Sequence, residues 1–416
     1  MTARAEAPAP LRRRGPRPLL FHLMLAMLRS VASNGASPSS NAASPASNEA
    51  LAALRDRIAA ALAQAGPGAE AGAETAEGGF ARAILAETLR QDRALVAGIA
   101  AYRRHPWQRD LPDPPAIWEE GGSRLLDYAP GAPGPVVLFV PSLVNRAHVL
   151  DLMPGRSMLR WLAGQGIRPL LLDWGWPNAV ERGFTLTDYI VGRLERALAA
   201  APAGLVLAGY CMGGLLALAA ALRRPDRVRA LALLATPWDF HAPEPGRAIA
   251  LGQALPLLEP ALAFNQTLPV DVLQMMFACL DPFGVAAKYR SFARLDPGSE
   301  RAALFVALED WLNDGIPLAA PVARACLRDW YGANDPARGA WRVAGLPVEP
   351  AAFDRPAFVA VPGKDRIVPP ESALPLAGLI PGAVLHQPKA GHIGMVAGGT
   401  AEAALWRPVA EWVLAL

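Results

Sequence analysis

The chain has 416 residues, of which 52% are hydrophobic and only 19% charged, so most of it can close around a sizeable core, while 41 Pro and 37 Gly call for many turns. Lys and Arg exceed Asp and Glu by 40 − 37 = 3, and no dense basic stripe occurs, which removes the electrostatic case for a nucleic-acid partner. Three widely spaced cysteines, Cys211, Cys279 and Cys326, exclude a disulfide framework and a CxxC metal site and suit a cytoplasmic setting. The six histidines form no HExxH pattern and no Cys/His cluster, so neither a metal nor a bound cofactor is assigned.

At the N-terminus, Arg12-Arg13-Arg14 precede an apolar stretch over 19–28, the outline of a secretory leader. His22 interrupts the run, Arg29 follows it and no clean cleavage site is present, so two other readings compete: an amphipathic helix on a hydrophobic surface, or a helix docked on its own domain. Ser, Ala, Asn and Pro dominate 31–49, a linker composition; 50–62 is helix-forming, 66–79 reads as a Gly/Ala/Glu-rich break, and 81–101 as helix. Residues 1–115 are therefore expected to form an N-terminal appendage, partly disordered with short helices.

From Pro135 the texture changes to short buried strands at 136–140, 168–172, 205–208, 231–235 and 357–361, separated by helices. This alternation predicts an α/β fold with a mostly parallel, doubly wound sheet over 116–416. The uncharged run 205–222 is long enough to suggest a membrane span, but the glycines at its centre divide it into a strand and a buried helix. About 120 residues without strand rhythm separate the last two strands. They predict an inserted helical cap at about 241–350, over the carboxyl edge of the sheet where open α/β sheets bind ligands.

Gly209-Tyr210-Cys211-Met212-Gly213 follows a strand and opens a helix. That context turns a G-x-[Ser/Cys]-x-G string into a nucleophile elbow, with Cys211 at the turn. Alone, the string has a second reading, a buried cysteine in a glycine-rich turn. A thiol nucleophile needs a base, and the base a partner that fixes its tautomer. Asp365, just after the 357–361 strand, and His392, on a loop before the last helix, complete the chain order nucleophile, acid, histidine of α/β-hydrolase triads. The oxyanion hole is expected from the N–H groups of Met212 and Val144, the latter in the loop Pro141-Ser142-Leu143-Val144-Asn145-Arg146. His22, His105 and His386 read as packed or exposed. His148 and His241 follow strands on the catalytic edge but are also read as structural, and so is Asp173. Trp311, Trp330, Tyr331 and Trp341 either line an acyl channel or fill the cap core.

Several stretches together resemble the polyhydroxyalkanoate synthases, most closely the catalytic subunit of the class III, two-subunit type. They are Leu143-Val144-Asn145-Arg146, Asp173-Trp174-Gly175-Trp176-Pro177 with Thr185-Leu186-Thr187-Asp188-Tyr189-Ile190, the Cys211 elbow with Gly214, Thr236-Pro237-Trp238-Asp239-Phe240, Asp365 with Val368-Pro369-Pro370, and Gly391-His392-Ile393-Gly394. The resemblance implies that Cys211 carries the growing acyl chain, His392 deprotonates it, and Asp365 partners His392 and helps activate the incoming hydroxyl. It implies an (R)-3-hydroxyacyl-CoA substrate, a polyester product, released coenzyme A, and as partners a granule surface, a granule-associated protein or second synthase subunit, and a homodimer. Two departures stand out: the class III catalytic subunit lacks a leader of this length, and Arg366 follows the triad Asp where the family often has His. The triad by itself equally suits a Cys-dependent hydrolase of a polyester, ester or thioester, and a third reading is a non-catalytic granule-surface protein that has kept the fold.

Overall fold

The structure, a computed structural model, describes residues 13–33, 76–242 and 244–416. The expected linker over 31–49 (beyond Ser33) and the expected helix over 50–62 lie outside the described residues. The chain divides into two compact units, Met1–Pro106 with Asp281–Val306, and Trp107–Leu280 with Ala307–Leu416.

In the first unit, α1 (Leu19–Ser33) takes up the apolar stretch and α2 (Ala76–Arg104) extends the helix expected at 81–101 in both directions. The break expected to reach residue 79 therefore ends earlier: Gly78 and Gly79 are absorbed into α2, whose other end is anchored by buried Leu95, Ile99 and Tyr102. Tyr102 meets Tyr289 edge-on, with centroids 5.6 Å apart, and Phe292 stacks on Phe305 at 4.3 Å. Gly98 allows the approach, since a Cβ there would stand 2.0 Å from the Tyr289 carbonyl oxygen. This aromatic cluster groups 281–306 with the N-terminal helices rather than with the remainder of 241–350.

The second unit is built on an eight-stranded sheet: β1 (Ala116–Glu120), β2 (Ser123–Asp127), β3 (Val136–Val140), β4 (Arg168–Asp173), β5 (Leu205–Tyr210), β6 (Val228–Leu234), β7 (Ala357–Ala360) and β8 (Val384–His386), in the order β1-β2-β4-β3-β5-β6-β7-β8. From β4 to β8 all neighbours are parallel; β2 runs antiparallel to both β1 and β4. The five expected strands are all present. The β1–β2 hairpin escaped sequence reading because β1, Ala-Ile-Trp-Glu-Glu, is a half-exposed edge strand without a clean apolar alternation. The central strands read clearly because they are buried on both faces: every residue of β5 is buried, and so are ten residues of α3 (Met212–Arg223) after it. The long uncharged run is thus strand plus buried helix, and among the described residues no helix is long and apolar enough to cross a membrane. Between β6 and β7 come α4 (Pro245–Gln253), α5 (Leu255–Asn265), α6 (Val270–Ala278) and, beyond the segment belonging to the first unit, α7 (Ala320–Ala325), which passes directly into a π-helical turn over Cys326–Gly332.

Candidate active site

β5 delivers Cys211 to the carboxyl edge of the sheet and α3 begins at the next residue. Cys211 adopts φ 56°, ψ −130°, a conformation costly for any residue with a side chain. It is held there from both sides, its N–H donating to the Leu234 carbonyl at 2.9 Å and its own carbonyl accepting from Gly214 N–H at 2.9 Å. Two motif glycines have steric reasons to lack a Cβ. At Gly213 it would lie 2.1 Å from the Val140 carbonyl oxygen, and at Gly209 it would lie 2.3 Å from the Gly214 Cα. The elbow therefore packs α3 against the end of β3 as closely as backbone allows, which presents the sulfur at the turn.

Asp365 lies five residues beyond β7 and His392 six beyond β8, both buried. Asp365 Oδ1 accepts from the N–H groups of Ile367 (2.8 Å) and Val368 (2.9 Å), which fixes the carboxylate and leaves Oδ2 to accept from His392 Nδ1 at 2.6 Å. With Nδ1–H committed to Asp365, Nε2 is the nitrogen left to exchange a proton. Burial disfavours the charged imidazolium, but the Cys211 sulfur beside it, with hydrogen bonds to Asp365 and Cys211, outweighs that penalty and raises the His392 pKa to about 10. A buried Tyr210 completes the support. Its ring lies 5.0 Å from that of His392, its hydroxyl donates to the His392 carbonyl at 3.2 Å, and burial followed by the nearby Cys211 and Asp365 keeps it protonated. Tyr210 was not singled out in the sequence; only its place inside the elbow string could have marked it.

A cavity of about 500 Å³ opens beside the sulfur. Cys211, Met212, Val144 and Asp365 line it from the sheet side. Leu251, Leu273, Met276, Phe277, Cys326, Trp330 and Tyr331 line it from the cap, and exposed Arg247 and Arg366 add charge to an otherwise largely apolar wall. Met212 opens α3, so its N–H has no place in the helical ladder and lies at the positive end of the helix dipole. The Val144 N–H, by contrast, donates to Ser142 Oγ at 3.3 Å, a long bond that an oxyanion would have to displace.

Against known proteins, the sequence profile described as "alpha/beta hydrolase fold" matches residues 184–398, just over half of the chain. The chain belongs to the α/β-hydrolase fold family. Several curated relatives carry the name poly(3-hydroxyalkanoate) polymerase subunit PhaC. Those of Haloferax mediterranei and Allochromatium vinosum are each 28% identical over 311 residues, covering 71% and 72% of this chain and 62% and 87% of their own. That of Synechocystis is 28% identical over 316 residues, covering 72% of this chain and 83% of its own. The chain thus spans less than two thirds of the Haloferax protein.

In this α/β-hydrolase fold the other histidines are held by main-chain carbonyls: ring Nε2 atoms bond to Arg17 O from His22, Pro297 O from His105, Tyr331 O from His241 and Ala404 O from His386. His148 has its pKa lowered to about 4, by burial first and then by Arg109 and Arg146. Asp173 serves the backbone and a neighbouring strand, accepting from Gly175 N–H at 3.1 Å and Arg124 at 3.0 Å. Of the four cap aromatics, Trp330 and Tyr331 line the cavity, while Trp311 donates to the Arg146 carbonyl and Trp341 packs edge-on against Trp330. One clamp left no signal in the sequence: Asn334 Nδ2 donates to Asp239 Oδ1 at 2.8 Å and Asn334 Oδ1 accepts from Phe240 N–H at 2.9 Å, tying the cap to the loop after β6. No group of three or more His, Cys, Asp or Glu able to hold a metal occurs among the described residues.

Proposed function

We propose that this chain is an acyltransferase that polymerises (R)-3-hydroxyacyl-CoA into a polyester, releasing coenzyme A through an acyl-cysteine intermediate on Cys211. The observation that carries the reading is a cysteine, not a serine, at the elbow, in hydrogen-bonded series with His392 and Asp365 at the wall of a mostly apolar cavity. The names of the relatives support the substrate class. The Cys211 sulfur, its proton passed to His392 Nε2, attacks the thioester carbonyl; the developing oxyanion takes up the Met212 N–H, and coenzyme A leaves with the proton from His392. A thioester exchanges readily onto a thiolate, so this step asks little of the protein beyond alignment. In the second half the hydroxyl of another hydroxyacyl thioester attacks the acyl-cysteine carbonyl, His392 accepts its proton, the C–S bond to Cys211 breaks so that the sulfur leaves paired with the protonated His392, and the chain is longer by one ester. Apolar cap residues around the sulfur disfavour water as the competing nucleophile. Arg247 and Arg366 supply cationic groups suited to the phosphates of the thioester.

The test is coenzyme A release from (R)-3-hydroxybutyryl-CoA by the purified chain, beside Cys211→Ala, with the product examined. Polymer from the wild type and none from the variant is the expected result. Free acid instead of polymer, again lost in the variant, would replace the synthase with a hydrolase using the same residues. Attachment to the polyester surface through α1, where Leu20 and Met24 are exposed, belongs to the same proposal. Granule binding that survives deletion of residues 1–49 would remove that part of it.

A further inference from the structure

The cap wall holds polar groups that the chemistry at Cys211 does not use. Trp330 and Tyr331 are consecutive in the π-helical turn over Cys326–Gly332, and both line the cavity. Trp330 is only 2% exposed, yet its indole Nε1–H has no acceptor among the described residues. Native interiors seldom leave a buried donor unpaired, and single π-helical turns of this kind recur at functional sites. Nor does any described residue hydrogen-bond with the Tyr331 hydroxyl. Burial, with Cys326 and then Cys211 nearby, raises the Tyr331 pKa, so the phenol keeps its proton and remains a donor. Neither ring is loose. Phe240 stacks on Trp330 (5.6 Å, 29°) and meets Tyr331 edge-on (5.0 Å, 72°), and His241 Nε2 donates to the Tyr331 carbonyl at 2.9 Å. Tyr331 thus brings an unpaired donor to a largely apolar cavity shared with Cys211, and beside it Trp330, which lines the same cavity, carries an enclosed indole N–H without an acceptor.

We propose that Tyr331, with Trp330 beside it in the cavity wall, forms a subsite whose hydroxyl donates a hydrogen bond to the oxygen substituent of the acyl chain carried on Cys211, and so selects oxygenated acyl groups over plain fatty acyl groups. This rests on the acyl-transfer reading above and names residues that set its specificity. A site built around a substrate hydroxyl rejects the analogue without it, because its own donors then stay unpaired in the bound state.

The experiment is single-turnover acylation of Cys211 in the full chain, followed by mass spectrometry, with (R)-3-hydroxybutyryl-CoA and butyryl-CoA as the two probes. Acylation precedes chain growth, so both probes report the same step. The wild type is expected to prefer the hydroxylated thioester. Tyr331→Phe, which removes only the hydroxyl, is expected to narrow that preference by about tenfold or more, and Trp330→Phe to narrow it in the same direction. An unchanged ratio in both variants, or equal losses on the two probes, overturns the subsite while leaving the acyl-transfer reading intact. Failure of the wild type to be acylated by either probe removes the acyl-transfer reading, and the subsite with it.

Discussion

The two walls of the cavity are built differently. On the sheet side each candidate reacting group follows a parallel strand: Cys211 directly after the buried β5, Asp365 after the buried β7, and His392 after β8, a short and largely exposed edge strand. Backbone hydrogen bonds fix two of them, from Leu234 and Gly214 at the cysteine and from Ile367 and Val368 at the carboxylate, and side chains of Asp365 and Tyr210 hold His392. On the cap side the lining comes from short helices and one π-helical turn, positioned by ring contacts and by the Asn334 clamp. On the proposed reading, bond making belongs to the wall fixed by strands, and substrate fit to the wall assembled from side chains.

The sheet wall should show the largest effect. Asp365→Asn places an amide where Oδ2 accepts from His392, which turns the imidazole to the wrong tautomer and should slow Cys211 acylation by about 10³–10⁴-fold. The same variant carries a pH signature. Because the folded-state His392 pKa is raised to about 10 from an ordinary value near 6.5, the stability it contributes is fully present below about pH 6.5 and is lost as pH rises through about 10. The Tm advantage of wild type over Asp365→Asn should therefore shrink between pH 6 and pH 10. A difference that stays constant across that range would mean that the imidazolium is not what the carboxylate stabilises.

Next comes the elbow itself. Gly213→Ala drives a Cβ to 2.1 Å from the Val140 carbonyl oxygen and 2.6 Å from that of Pro141, backbone atoms that cannot step aside cheaply. Urea unfolding should show a loss on the order of 3 kcal/mol, with acylation falling as α3 shifts and carries Cys211 with it. Stability at the wild-type level would show that the strand-to-helix packing is more forgiving than the geometry implies.

The contrast between the walls also explains what could be read from the sequence. Cys211, Asp365 and His392 could be grouped from the sequence because an elbow must place glycines at fixed offsets from its cysteine, because the unbroken apolar run of β7 marks the strand before Asp365, and because chain order then points to His392. The β1–β2 hairpin was not, since a half-exposed edge strand carries no such pattern. Val144 was chosen by its loop alone; which N–H in a loop is spoken for depends on a partner such as Ser142 Oγ, and that is set by local torsions. The cap was harder still. Trp330, Tyr331, Trp311 and Trp341 look alike as aromatics in a helical insert, and only tertiary packing separates those that line the cavity from those that do not. Asn334 and Asp239 lie 95 positions apart, and no periodicity joins them.

Asn334→Ala tests the cap wall at its attachment. Removing the amide leaves Phe240 N–H and one acceptor site on Asp239 without their partner, a loss of about 1–3 kcal/mol. Because Phe240 packs on Trp330 and Tyr331, the discrimination between hydroxybutyryl and butyryl thioesters should weaken more than acylation itself. Equal losses in rate and discrimination would mean that the two walls are not separable in this way.

The smallest effect concerns two thiols on opposite walls of one cavity. Burial, with a further push from Asp329, raises the Cys326 pKa far above that of an ordinary thiol, so its thiolate fraction near neutral pH is negligible. Cys211 stands instead beside His392, whose imidazole is oriented by Asp365 and, with its pKa raised to about 10 by Cys211 and Asp365, pairs as a cation with the sulfur at pH 8. Iodoacetamide at pH 8, followed by peptide mapping, should modify Cys211 at least about tenfold faster than Cys326, although both line the same space, with exposed Cys279 as the accessible reference. Access alone would label Cys211 and Cys326 together. A clear separation would show that reactivity follows the imidazole on the sheet side rather than position in the cavity, and equal rates would make the cap thiol a second nucleophile that the division between walls does not allow.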